Sequence, residues 1–152
     1  MAAGPLVLDT FLPYRLSIAS NLVSGAIARI YQSLFGLSIP EWRIVTVVAE
    51  TDAITQQEIG QRTRMDKVTV SRAAIALERR GLIERRAHPG DGRSQLLHLS
   101  ATGRTLYESV APKAKELEER LFGDFTAAEL DTLTSMLRRA EAAALRLEGE
   151  AR

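Results

Sequence analysis

At 152 residues, with 45% hydrophobic content, 26% charged residues and a formal net charge of +1, the chain can bury a core and is expected to form one domain per subunit. The absence of cysteine excludes disulfides, thiolate metal sites and cysteine redox switches, and two histidines are too few to expect a metal site. No apolar run approaches the length of a membrane span and no signal-peptide pattern opens the chain, so the expectation is a cytoplasmic protein, ordered except at its ends.

Residues 1–10 read as a loose terminus, and Pro13 marks the entrance to a first helix from Tyr14 to about Phe35, which Gly36 stops. Leu16, Ala19, Val23, Ile27, Ile30 and Leu34 form one stripe. Leu22, Ala26 and Tyr31 add apolar surface on a second side, the pattern of a helix that touches more than one partner. Ser38-Ile39-Pro40-Glu41 is a capping box with proline in the first turn. It opens a helix through Glu50 whose interior, Trp42, Ile44, Val45, Val47 and Val48, is strongly apolar.

Thr55-Gln56-Gln57-Glu58 is a second capping box, in which the Thr55 hydroxyl and the Glu58 carboxylate are each expected to satisfy an orphan N–H, with Ile54 and Ile59 as the flanking hydrophobic staple. Gly60 permits close packing, and Arg62-Thr63-Arg64-Met65 reads as a short polar turn with one apolar plug. From Asp66 to Gly81, Val70, Ala73, Ala74 and Leu77 fall on one helical face, while Lys67, Thr69, Ser71 and Arg72 lie exposed near the N-terminus. Short hydroxyl donors and long cations are the side chains that reach base edges and phosphates in a major groove. The pair of helices is a helix-turn-helix.

After Gly81 the period changes from 3.6 to 2. Residues 82–88 and 95–99 read as two strands, joined by Pro89-Gly90-Asp91-Gly92-Arg93-Ser94, which is dense in turn formers. This β-hairpin is a wing, and Arg93 is expected at its tip, positioned for a minor groove. Arg85 and Arg86 face opposite sides of the first strand, so one is expected to aim at phosphate while the other packs or pairs with a carboxylate such as Glu84 or Asp91. Residues 62–93 hold nine Lys or Arg against four acids, so positive charge concentrates here in a nearly neutral chain.

Ser100 is placed to cap a long helix from about Ala101 to Leu121. Gly103 in its first turn suggests backbone contact with the preceding domain, and Pro112 should kink it. Phe125 to Leu130 supplies a third capping box, with a staple from Phe125 to Leu130, and opens a last helix carrying Leu130, Leu133, Leu137, Ala140 and Leu147. Together with the first helix, these two present more aligned apolar surface than a small monomer buries, so a homodimer through both chain ends is expected.

Thr69-Val70-Ser71-Arg72, the run Leu77-Glu78-Arg79-Arg80-Gly81-Leu82-Ile83-Glu84-Arg85, then Asp91-Gly92-Arg93-Ser94 and Leu97-His98-Leu99-Ser100-Ala101-Thr102-Gly103 carry a family likeness. The chain resembles the MarR (multiple antibiotic resistance regulator) winged helix-turn-helix regulators over nearly its whole length. The resulting fold class is mainly α with a small β-hairpin wing, an α+β winged helix-turn-helix. One domain spans residues 1–152, with dimerisation helices at 11–36 and 101–150 and a DNA-binding lobe at 38–100. The resemblance implies a dimeric transcriptional regulator, usually a repressor, on a pseudopalindromic double-stranded operator. Release follows when a small aromatic or anionic effector enters a cleft between the dimer and DNA-binding lobes. The family's cysteine-based redox sensing is excluded here, and the clustered ligands of its metal-sensing members are not evident.

The candidate DNA contacts are Thr55, Gln56, Lys67, Thr69, Ser71, Arg72, Arg86 and Arg93. The candidate effector residues are Arg15, Ser24 and Trp42; Trp42 is better explained as core, and Arg15 pairs either with a ligand carboxylate or with an acid across the dimer. No cofactor and no catalytic residue are expected, because no nucleophile, base or phosphate-loop constellation stands out. The alternative is a winged-helix protein-interaction module without direct DNA binding, which explains the basic segment less well.

Overall fold

The computed structural model describes residues 4–152. A short 3₁₀ turn (Leu8–Thr10) precedes α1 (Leu12–Phe35), α2 (Ile39–Thr51), α3 (Gln56–Thr63), α4 (Lys67–Arg79), β1 (Ile83–His88), β2 (Asp91–Leu99), α5 (Ala101–Phe122) and α6 (Ala127–Glu150). The fold is thus six helices and one antiparallel hairpin, a winged helix-turn-helix. Of the terminus read as loose, residues 1–3 lie outside the described residues, and Leu8–Thr10 are wound into the 3₁₀ turn.

The chain divides into two compact units, Met1–Lys113 and Ala114–Arg152. The core of the first is built from the faces that periodicity marks. Ile44, Val45 and Val48 of α2, Ile59 of α3, and Val70, Ala73, Ala74 and Leu77 of α4 are buried, together with Ile54, Leu82, Ile83 and Leu97. Ile54 does more than staple α3: it exchanges backbone hydrogen bonds with Leu97 (Leu97 N–H to Ile54 O at 2.8 Å, Ile54 N–H to Leu97 O at 3.3 Å). The wing is thereby stitched to the connection entering the helix-turn-helix.

α1 departs from the expected pattern. Leu16 and Leu34 of the main stripe are exposed, and the one buried residue of the helix is Tyr31, from the second side. Val23, Ile27 and Ile30 of the stripe are only partly buried, whereas Tyr31 lies over α2 against Trp42. No single helix among the described residues is long and apolar enough to cross a membrane; α1 and α2 pass such a test only as a pair bent by 77°.

Helix ends follow their local chemistry. Ser38 and Glu41 close a full capping box on α2, and Thr126 and Glu129 close another on α6. At α3 the box is half made: the Thr55 hydroxyl accepts the Glu58 N–H at 3.2 Å, but the Glu58 carboxylate takes the Thr55 hydroxyl proton at 3.0 Å rather than the Thr55 N–H. α3 also runs through Thr63, taking in Arg62 and Thr63 of the expected polar turn. Arg64 then ends it in the left-handed region at φ 55°.

α4 ends in a Schellman motif. Gly81, at φ 70°, donates to the Glu78 carbonyl and Leu82 to that of Leu77, so the left-handed glycine satisfies two otherwise orphaned carbonyls. Ser100 fastens the return from the wing, its hydroxyl donating to Gly81 O at 2.6 Å while accepting the Gly103 N–H at 2.9 Å. A Cβ on Gly103 would overlap the Leu82 carbonyl oxygen, which explains the glycine. α5 continues as helix through Pro112.

In the second unit the Phe125 ring lies 5.8 Å from Phe122. α6 has no buried residue, and Leu133, Met136, Leu137, Leu145 and Leu147 are all exposed.

Candidate nucleic-acid interface

The reading surface begins at the N-terminus of α4. Asp66 caps it, with Oδ1 accepting the Thr69 N–H and Oδ2 the Thr69 hydroxyl, both at 2.8 Å. These bonds, the backbone one first and the hydroxyl second, hold the Asp66 carboxyl below the usual aspartate range. Thr69 therefore offers a partner its oxygen lone pairs, because its proton is committed to the cap.

With Val70, Ala73, Ala74 and Leu77 packed inward, the opposite face of α4 is centred on Val68, Arg72, Ile75 and Arg79, all exposed. Thr69 lies on one flank; Lys67 and Ser71 lie on the other. Arg72 has no ion-pair partner among the described residues, so its guanidinium is available to a ligand. Val68 is the residue that sequence reasoning missed: at 56% exposed it breaks the buried pattern beside Arg72. The available signal was its offset from Val70, which places it outward.

The wing is built differently from its expected form. The reversal is Pro89-Gly90 alone, and β2 already begins at Asp91. Register runs from Ile83 opposite Leu99 to Ala87 opposite Gln95, then jumps so that His88 faces Asp91. Residues 92–94 are the surplus in this bulge, and Arg93 belongs to it rather than to the tip. Asp91 fixes the bulge by accepting the Arg93 N–H and the Ser94 hydroxyl, each at 3.0 Å, and the same bonds depress its own pKa.

Arg93 and Ser94 accordingly line a hollow of about 300 Å³ with Thr55, Gln56, Gln57, Arg85 and Gln95. This places two guanidinium groups beside the N-terminal turn of α3, whose free N–H groups and dipole add positive potential.

Arg85 and Arg86 do separate to opposite faces. The acid that claims Arg85 is Glu78 of α4, at 2.8 Å, and not Glu84 or Asp91. Arg86 is exposed and only loosely approached by Glu84, at 3.7 Å. A second hollow of about 560 Å³ between α3 and α4 is lined by Gln56, Gln57, Gly60, Gln61, Met65, Lys67 and Val70. Gly60 is small there because a Cβ would lie 3.3 Å from the Met65 carbonyl oxygen. Seven of the eight expected DNA contacts thus lie on α4 or around the α3–wing hollow, while Arg86 lies on the outer face of β1.

The three expected effector residues do not form one constellation. Arg15 is paired with Asp9 at 3.4 Å, and no hydrogen bond, ion pair or ring contact joins it or Ser24 to Trp42. Trp42 is half-buried rather than core. Its ring meets Tyr31 edge-on at 5.4 Å and lies nearly parallel to Tyr107 at 6.3 Å, and burial raises the Tyr31 pKa. Among the described residues no group of three His, Cys, Asp or Glu side chains could hold a metal ion.

The comparisons with known proteins agree with this geometry. Residues 35–94 match the model of the MarR family. A probable transcriptional regulator from Pseudomonas aeruginosa is 30% identical, the match covering 88% of this chain and 99% of that one with a TM-score of 0.75. A MarR/EmrR family transcriptional regulator from Acinetobacter sp. ADP1 is 28% identical over 93% of this chain and 99% of its own, with a TM-score of 0.85. The homoprotocatechuate degradative operon repressor of Escherichia coli is 26% identical over 66% of this chain and 68% of its own. The residues and the fold that position the basic wing beside α4 therefore lead to one assignment: the chain belongs to the MarR family of winged helix-turn-helix transcriptional regulators.

Proposed function

We propose that this regulator binds double-stranded operator DNA as a homodimer, with α4 of each subunit in a major groove and the wing beside it, and acts as a cytoplasmic repressor. The observation that carries the reading is the outward face of α4: Arg72 stands there without an acidic partner, flanked by Lys67, Thr69 and Ser71. In these roles Arg72 reads a guanine edge, Val68 meets a thymine methyl, Lys67 and Ser71 contact phosphate or base, and the Thr69 oxygen accepts from a base amino group. A backbone phosphate sits in the hollow of Thr55, Gln56, Arg85 and Arg93, and Arg86 meets a neighbouring one from the outer wing face.

Dimerisation uses α1, α5 and α6, whose exposed leucines have no cover within either unit. The whole chain serves as one domain in this reading, with residues 38–100 as the DNA-binding lobe. Its work is binding rather than catalysis, with no cofactor. The repressor assignment is supported by the operon repressor among its relatives. A small aromatic effector would stack in the aromatic group of Tyr31, Trp42 and Tyr107; Ser24 and Arg15 lie further back on α1.

Footprinting tests the reading. Protection should cover an inverted repeat with half-site centres about 10 base pairs apart, or a multiple of that. Binding to random duplex DNA should weaken steeply with salt. A salt-independent interaction, or a protected site without dyad symmetry, would overturn it.

A further inference from the structure

The corner between α1 and α2 is held from outside by a residue of the recognition helix. α1 ends at Phe35, Gly36 turns the chain at φ 62°, Leu37 is fully buried, and Ser38 opens α2 at 77° to α1. Within the corner, the N–H groups of Gly36 and Leu37 donate to the carbonyls of Gln32 and Tyr31 at 3.0 and 3.4 Å. The carbonyls of Phe35 and Gly36 go to Arg80, which caps the C-terminus of α4: Nη2 donates to Phe35 O at 3.1 Å and Nη1 to Gly36 O at 2.9 Å.

Three features mark this as a built contact. The planar fork of the guanidinium meets two adjacent carbonyls, a pairing whose geometry an ammonium cannot reproduce. The cation sits at the negative end of the α1 dipole. The guanidinium also lies over Gly36, where a Cβ would be 3.8 Å from Nη2. The partners are 44 and 45 residues apart in sequence, so the contact joins α1 directly to the recognition helix.

α4 has 13 residues, which makes it about 20 Å long. A rotation of about 5° at the Arg80 end would carry the Lys67 end roughly 2 Å, enough to spoil hydrogen bonds to base edges that tolerate only a few tenths of an ångström.

We propose that Arg80 is a positioning residue for operator recognition. It fixes the pitch of α4 against α1 without touching DNA, and so sets the spacing between the two recognition helices of the dimer. The inference rests on the dimeric operator reading above.

The test uses full-length wild type, Arg80→Met and Arg80→Lys. Each is measured on the footprinted operator, on operators with the half-site spacing changed by one base pair, and on random duplex across a salt series. The wild type should prefer its own spacing. Arg80→Met should lower affinity for that operator by about tenfold, the loss expected when a charge-assisted pair is removed, and should flatten the spacing preference. Its salt slope on random duplex should stay unchanged. Arg80→Lys should behave like Arg80→Met, because charge alone does not restore the fork. Arg80 is exposed, so both variants should remain folded; if Met impairs folding, Lys alone decides.

A salt slope reduced by about one in Arg80→Met and restored in Arg80→Lys would make Arg80 a phosphate contact and overturn the proposal. Retained spacing preference in both variants would also overturn it while leaving the operator reading intact. Wild type that binds every spacing and random duplex alike would instead overturn the operator reading, and the positioning role with it.

Discussion

Replacing Gly103 by alanine probes the joint between the recognition helix, the wing and α5. The new methyl would fall on the Leu82 carbonyl oxygen, which is backbone and cannot rotate aside. Leu82 itself is buried, and its N–H completes the Schellman motif that ends α4. Overpacking against a fixed neighbour costs about 1–3 kcal/mol, and the upper part of that range applies here. Displacing Leu82 also strains the Ser100 N–H to Leu82 O bond, 3.1 Å long, for about 1 kcal/mol more. Against this, alanine gains about 1 kcal/mol over glycine in a helix. The net is a loss of roughly 2–3 kcal/mol, or a melting temperature lower by roughly 4–12 °C for a chain of this size.

Thermal unfolding followed by circular dichroism measures it. Gly60→Ala is the internal comparison, since its Cβ would stand 3.3 Å from the Met65 carbonyl oxygen and needs only a slight adjustment. It should shift melting far less. Equal shifts in the two variants, or Gly103→Ala melting with the wild type, would refute the packing argument.

Arg72→Ala should weaken operator binding by roughly 1–3 kcal/mol and relax selection at one position per half-site, as read by binding to a panel of operator variants; an equal loss on random DNA would make it a phosphate contact. Leu137→Glu should turn the dimer into monomer in sedimentation, since Leu137 and Leu133 are 37% and 36% exposed in the subunit and a charge buried at that interface costs several kcal/mol in order of magnitude. The acid response of the fold should change in Asp66→Asn. Because hydrogen bonds from Thr69 lower the folded pKa of Asp66 below its ordinary 3.8, its contribution is present above that value and is lost as pH falls through it towards the folded pKa. Acid unfolding of Asp66→Asn should therefore be less steep below pH 3.8, and superimposable curves would contradict the cap's role.

Much of this protein is written in short-range chemistry. Val70, Ala73, Ala74 and Leu77 identify the inner face of α4 by spacing alone, and all four are buried, because a helix turns by the same angle whatever surrounds it. Ser38 with Glu41 and Thr126 with Glu129 close their capping boxes because both partners lie within one turn. Gly36 and Gly81 stop their helices in the left-handed region that glycine enters without strain.

Tertiary packing decided what lies beyond one turn. Alternation along β1 places Arg85 and Arg86 on opposite faces, yet only the packing of the wing on α4 brings Glu78 to Arg85. A run of turn formers does not say which pair reverses the chain. Asp91 captures the Arg93 N–H and Ser94 hydroxyl, so the reversal falls at Pro89-Gly90 and Arg93 moves from the tip to the α3 hollow. The hold of Arg80 on Phe35 and Gly36, the bridge of Ile54 to Leu97 and the grouping of Tyr31 and Trp42 with Tyr107 join residues far apart in the chain. Periodicity fixes which way a side chain faces along its own element, but which residue it meets there depends on how the elements dock.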